Sequence, residues 1–315
     1  MIIATRFRDL SDDQMKEVDN YLKSGRPVIG LRTATHAFNF PSDSKWAHYS
    51  FNYKGDKTAW QGGFGQSILG TSWIAHHGWH KKESTRGIIQ DAHAVTRGIE
   101  SGSIWSAADV YTVRDPLGAD AVPLVYGGVL TGMNPDDEPI GPGPYDYTPG
   151  FAKNDPDFNK NDPLQPIAWT KSYQIPGGKK GNVFASTLGA SVDLSNASTR
   201  RLIVQGAFWL LGIEIPEAGV DAGLIGSYRP NMFGFHKQAD EPDYWPKKGL
   251  TIGSAFVPKI GQPTKGESIV LVGNGLAERM VYFPHFETAV QHRFPNAEVI
   301  VRNLGFPGDT PGFRP

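Results

Sequence analysis

The chain opens with two apolar runs joined by one helix, and this order narrows the accessible folds more than any other feature. Met1-Ile-Ile-Ala-Thr5 has the length and apolarity of a short buried strand. Ser11-Asp-Asp-Gln14 has the form of a capping box, and Met15, Val18 and Leu22 recur at helical spacing. Gly25 and Pro27 supply the stop, so residues 11–24 read as one helix. Pro27 to Leu31 is the second run. Two strands linked by a helix lie parallel under a right-handed crossover. The expected class is therefore α/β, a mainly parallel sheet with helices on both faces.

Further strands are expected at Val122–Tyr126, Ile167–Trp169 and Val183–Leu188, with a helix between Ser195 and Gly212 whose Leu202, Ile203, Ala207, Leu210 and Leu211 share a face. The excursion from Gly132 to Gln165, rich in Pro, Gly, Asp and Asn, is too long for a passive connection and reads as a lid or wall. From Pro216 to about Gly266 no period is sustained. A second α/β unit then starts, with strands at Ser268–Val272 and Ala297–Val301 around a helical pattern from Leu276 to Phe294. The expected domains are 1–217, a linker at 218–265, and a partial unit at 266–315. Two strands close no core, so the partial unit is expected either to dock on the first or to continue in a longer polypeptide, the second being favoured.

Composition excludes whole classes of function. Acids and bases nearly balance at a formal −1, which creates no field for nucleic acid or an anionic membrane. No apolar run is long enough to span a bilayer. The chain has no cysteine, so thiolate metal sites and cysteine nucleophiles are absent. With 37 Gly, 24 Pro and 8 Trp, long shaped loops carrying aromatic surface are expected, suited to a small polar ligand such as a sugar.

In open α/β sheets ligands bind beyond the carboxyl ends of the strands. There lies Val28-Ile-Gly-Leu-Arg-Thr-Ala-Thr-His36, where Arg32 could hold an oxyanion, Thr33 and Thr35 could bond sugar hydroxyls and His36 could move protons. Each has a plain alternative, an ion pair for Arg32 and turn-capping for the threonines. His76-His-Gly-Trp-His80 packs three histidines into five residues. No acid or cysteine stands at a ligand spacing from them, and adjacent strand histidines point to opposite faces, so no metal is expected and His76 or His77 is the candidate for proton transfer. His80, beside two lysines, reads as solvated. His93, between Asp91 and Arg97, is a further candidate, against a structural reading in which Asp91 and Arg97 pair. Trp169 and Lys171, placed past another strand, could stack on and bond a sugar, although Trp169 serves equally as core. Asp155, Asp157, Asn159 and Asn161 alternate like a calcium loop, yet Lys160 occupies the turn-glycine position and Pro166 that of the bidentate glutamate.

At "RFRDLSDDQMKEVDNYLKSGRPVIGLRTATHAF", "FGQSILGTSWIAHHG", "AHAVTRGI", "PIAWTKSY", "GNVFASTLGA" and "RRLIVQGAFWLLGIE" the sequence resembles the ThuA-like (trehalose-utilisation) family over residues 1 to about 217. The resemblance implies a flavodoxin-like fold related to class I glutamine amidotransferases, with Arg32 where those enzymes carry the nucleophile cysteine. Glutaminase chemistry is thereby ruled out, since no thioester can form. The family commonly has a strand and helix before this point, which implies that Met1 is internal to a longer protein. Gly189-Ala190 and His93-Ala94 depart from the family's Leu-Gly-His and His-Pro-Ile. From Ser268, "SIVLVGNGLAERM" and "VRNLGFPGDT" resemble the opening blocks of an SGNH (GDSL-type) hydrolase, as in planctomycete multidomain proteins, but Gly273-Asn274-Gly275 replaces Gly-Asp-Ser and implies no esterase activity.

The functional expectation is an enzyme of carbohydrate metabolism working on a (keto-)sugar by acid/base chemistry, with no cofactor and no covalent nucleophile. The alternative is a non-catalytic carbohydrate-binding or scaffolding domain of a larger envelope protein. The compartment stays open, periplasm or envelope following only if the full polypeptide carries a signal peptide.

Overall fold

The computed structural model describes residues 1–113, 117–118, 120–145, 155–224, 228, 230–233, 265–266, 268–271 and 285–303. The chain divides into two compact units, Met1–Gly234 and Phe235–Pro315.

The first unit begins as its opening residues dictate. Strand β1 (Ile2–Ile3) and strand β2 (Val28–Leu31) pair in parallel, joined by helix α1 (Asp12–Lys23). Gln14 Oε1 accepts the Ser11 N–H at 3.3 Å, closing one side of the expected capping box. Short turns fill the next stretch, including a π-helical turn at Gly65–Leu69. Then follow β3 (Ala75–His76), β4 (Thr85–Ile88), β5 (Ile104–Ser106), β6 (Tyr111–Thr112), β7 (Val122–Val129), β8 (Gln165–Tyr173), β9 (Gly181–Ser186) and helix α2 (Ala197–Leu210). The strand at the histidine run, β3, is only two residues long and ends at His76.

The fold is α/β of flavodoxin-like type, built on a seven-stranded sheet in the order β1-β2-β9-β8-β7-β4-β5. Parallel pairing holds from β1 through β2 to β9, and the remaining neighbours pair antiparallel. Five of the seven strands point the same way, with β8 and β4 running against them. The reversal at β8 has a covalent cause: residues 174–180, Gln-Ile-Pro-Gly-Gly-Lys-Lys, are too few for a crossover, so β8 and β9 form a hairpin. β3 and β6 make a separate two-stranded ribbon.

Both faces of the sheet are covered. Met15 and Leu22 of α1 pack with Val28, Val183, Ala185 and Trp169 on one face. Leu202 and Leu210 of α2 pack with Ile29, Leu31, Phe184 and Ile167 on the other. Val28 and Ile29 separate to opposite layers, as the period of two requires. Each fully buried aliphatic side chain contributes about 1.5–3 kcal/mol relative to exposure. Gly30 faces the first layer, where a Cβ would lie 2.6 Å from Leu69 Cδ2, so the bare backbone lets Leu69 seat directly on β2.

The second unit carries β10 (Ser268–Leu271) and β11 (Ile300–Asn303), which pair in parallel, with helix α3 (His285–Arg293) between them in sequence. The Gly273-Asn274-Gly275 stretch and most of the expected 218–265 linker lie outside the described residues.

Candidate functional site

β2 ends at Leu31 and β9 at Ser186, opposite one another. Arg32 therefore stands beside Thr187 at the carboxyl edge. Its φ is +46°, a left-handed conformation that costs a residue with a Cβ about 1–2 kcal/mol. Contacts on both backbone and side chain hold it there. The Arg32 N–H donates to Leu188 O at 3.0 Å, Nη1 donates to Asp109 O at 2.7 Å and Thr187 O at 3.1 Å, and Nη2 donates to Asp109 Oδ1 at 2.8 Å. Its guanidinium carbon lies 3.8 Å from the Tyr111 ring centroid. Burial works against its charge, but Tyr111 and Asp109 raise its pKa above the ordinary value, so it stays cationic.

Asp109 is the hub of the site and is fully buried. Its two oxygens receive both ends of the histidine run: His76 Nδ1 lies 2.6 Å from Oδ2, and His80 Nδ1 2.8 Å from Oδ1. Burial alone would raise the carboxyl pKa; the hydrogen bonds from His76 and His80 and the charge on Arg32 outweigh it and hold the group well below the usual carboxylate range. The peptide before Asp109 is itself fixed, since Thr85 Oγ1 donates to Ala108 O at 2.6 Å and the Ala108 N–H donates to Ser106 Oγ at 2.9 Å. Ser106 Oγ in turn donates to Asp193 Oδ1 at 2.6 Å, and Asp193 Oδ2 accepts the N–H groups of Gly189 and Ala190.

The imidazoles remain partly open to solvent, 31% for His76 and 37% for His80. With Nδ1 turned to a carboxylate, an imidazole has Nε2 as its proton-accepting atom. An aromatic wall flanks them: Trp73 and Tyr111 each lie 5.6 Å from His76, and Phe233 lies 5.1 Å from His80. The Trp73 indole N–H is buried without a hydrogen-bond partner among the described residues.

The structure brings Arg32, His36 and His76 to this wall. His36 sits among Phe7, Phe51, Trp73 and Tyr111, with Thr35 Oγ1 3.1 Å from Nδ1. Burial, then the charges of Arg6, Arg32 and His76, push its pKa down to about 3, so it is a neutral imidazole at physiological pH and not a proton acceptor. Thr35 is buried against the Arg32 carbonyl, and Thr33 Oγ1 donates to Ala4 O at 3.4 Å. His77, the residue after β3, does not join the Asp109 cluster and bonds Lys160 O through Nε2 at 2.7 Å.

The other sequence candidates lie elsewhere. Trp169 has no exposed surface and donates to Leu69 O at 2.7 Å, so it is core and offers no face to a sugar. Lys171 is largely buried and 3.9 Å from Asp120. A place at the ligand edge requires β8 to run with β2; because it runs against it, residues following Trp169 lead to Tyr173 opposite Gly181, the other edge of the sheet. His93 caps a short turn, Nδ1 accepting the Val95 N–H at 3.1 Å. Arg97 pairs with Glu217 at 2.9 Å, not with Asp91.

Four members of the site escape the sequence reading: Asp109, Tyr111, His80 and Phe233. Asp109 had one local signal, an acid between Ala108 and Val110 in an otherwise apolar stretch, which marks a buried carboxylate that must find partners. His80 was read as solvated from its neighbours Lys81 and Lys82.

Among the described residues no helix is long and apolar enough to cross a membrane. No protein-family profile matches the chain, and no curated protein matches its sequence. Among solved structures it is similar to one from Bacteroides uniformis ATCC 8492, described as ThuA-like, at 12% identity over 68% of this chain and 69% of that one, with a TM-score of 0.36.

Proposed function

We propose that the Met1–Gly234 unit binds a hydroxyl-rich small molecule, of the (keto-)sugar class, against the Trp73–Tyr111 wall and moves a proton on it through the imidazoles paired to Asp109. The observation that carries this reading is the convergence of His76 and His80, through Nδ1, on one buried carboxylate. Such pairing orients the ring, fixes the tautomer and stabilises the imidazolium that forms when Nε2 takes a proton, as from the carbon beside a carbonyl. Arg32 acts one step removed: its Nη atoms are spent on Asp109 and Thr187, so it positions the carboxylate and does not hold the substrate oxyanion. Neutral His36 and the unpartnered Trp73 indole N–H supply polar but uncharged groups, which suits hydroxyls and carbonyls. The sugar class itself is supported by the ThuA-like motifs of the sequence. With no cysteine in the chain, no thioester forms.

The test is turnover of oxidised and unoxidised disaccharides by the full chain, followed by NMR. We expect product from keto-disaccharides and a loss of roughly 10²–10⁴-fold in kcat/KM for His80→Ala and Asp109→Asn. Wild-type rates in both variants would overturn the acid/base assignment. Binding without product would instead leave a carbohydrate-binding domain.

A further inference from the structure

The histidine run has no acid at a ligand spacing in sequence, but the fold supplies one from the β5–β6 connection. We infer that His76, His80 and Asp109 form a binding site for one first-row divalent cation of the zinc class. The site stands on geometry and does not depend on whether a sugar is turned over.

The ligand atoms of the three residues all lie within 4.8 Å of one another. Two of the spacings, 2.6 Å and 2.8 Å between imidazole nitrogen and carboxylate oxygen, are hydrogen bonds as they stand. Ligand atoms about 2.0–2.1 Å from a tetrahedral ion sit about 3.3 Å apart, so the 2.6 Å and 2.8 Å contacts open by about 0.5–0.7 Å to admit the ion. Arg32 holds Asp109 in place through its carbonyl and its carboxylate. Nδ1 of each imidazole then gives its lone pair to the cation, the proton it carried passing to Nε2 or to solvent, with no redox change.

Two imidazoles and one carboxylate form a borderline ligand set, better matched to zinc, cobalt or nickel than to calcium or magnesium, which take all-oxygen shells. His76 and His80 stand at i and i+4, and their ring centroids are 4.8 Å apart. The outer shell is already built. Arg32 Nη2 holds Asp109 Oδ1 and Nη1 holds the Asp109 carbonyl, while Trp73, Tyr111 and Phe233 line the cluster with apolar surface. Arg32 and Asp109 cancel in charge, so the charge of a bound cation is not neutralised by its ligands. That moderates affinity and makes the open fourth position attractive to an anionic oxygen. Where both the ion and a sugar bind, water on the ion takes over the base role proposed for the imidazoles.

The experiment uses the full chain stripped with chelator and titrated at neutral pH with Zn²⁺ by calorimetry and with Co²⁺ by visible absorption, without substrate. We expect one ion per chain, unaltered in His292→Ala, and at least about 10-fold weaker binding in His80→Ala, whose half-open ring can be removed without emptying the core. No uptake by the folded wild type, or uptake by His80→Ala equal to wild type, overturns the inference. Occupancy is read without sugar, so an inactive sugar assay leaves it intact; turnover that persists after complete chelation, with no ion taken up, removes the cation and leaves the acid/base reading standing.

Discussion

Arg32 keeps an unfavourable backbone conformation because its guanidinium is the counter-charge that lets Asp109 be buried. Removing one partner of such a pair leaves the other charge in a medium that cannot solvate it. We therefore expect Arg32→Met to destabilise the first unit by about 3–5 kcal/mol in urea unfolding, and a change under about 1 kcal/mol would show that the half-open histidines suffice to hold Asp109. Arg32 and His36 were legible because they lie just past the apolar run Val28–Leu31 that forms β2, and His76 because it opens a run of three histidines in five residues. Asp109 was not, because its partners lie 29 to 77 residues away in sequence and no local pattern encodes the meeting. For Trp169 the core alternative holds, and no local signal chooses between core and ligand edge because the direction of the residue depends on how β8 pairs.

Elements with strong periodicity could be read directly, and those without could not. The spacing of Met15 and Leu22 marked α1, and the apolar face around Leu202 marked α2, because a helix shows its buried stripe every turn. Thr85–Ile88 and Ile104–Ser106 are three or four residues each, with Arg86 and Trp105 interrupting the apolar positions, too short for any period to stand out. They nonetheless complete the sheet edge that carries the connection to Asp109. At the helix α2 interface the usual rule for glycine inverts. Alanine in place of a helical glycine ordinarily stabilises by about 1 kcal/mol. At Gly206, however, a Cβ would meet the Phe184 ring at 2.6 Å, and Phe184 is fully buried between sheet and helix. We expect Gly206→Ala to destabilise by about 1–3 kcal/mol, read from the shift in denaturation midpoint; a gain in stability would mean the helix can move off the sheet without loss.

Across the first unit as a whole, buried titratable groups set the pH range of stability. Burial, followed by nearby cations, pushes His36 down to about 3 and His48 down to about 4 from an ordinary 6.5. The folded state thus binds these protons more weakly than the unfolded chain, and stability falls as pH drops from about 6.5 toward 3. Asp109, held below the usual carboxylate range, adds to the same loss below about pH 4. Burial pushes the Tyr173 phenol up to about 12 and raises Tyr49 as well, so the folded state keeps protons that the unfolded chain releases, and stability falls again as pH rises past about 10. We expect a plateau from about pH 7 to about 10 in denaturant midpoints, with an acid loss on the order of a few kcal/mol by about pH 4; a flat profile over that acid range would mean His36 is reached by solvent.

The segment that leads from β7 to β8 is pinned near both of its ends. Leu130 bridges Pro139, Asn161 bonds the carbonyls of Val129 and Ile140, and Lys160 is buried with its ammonium 2.8 Å from both oxygens of Glu83 while its carbonyl holds His77. Once the ends of a loop are fixed by the body of the fold, each doubling of its length costs only about 0.6 kcal/mol. Tyr145 and Phe158 belong to the clamp, against Lys160 and His77, so evolution can lengthen, shorten or rewrite the residues between those two without moving the part that carries the histidine run. Diversification of recognition among descendants of this chain is cheapest in that interval, with the Asp109 cluster inherited unchanged.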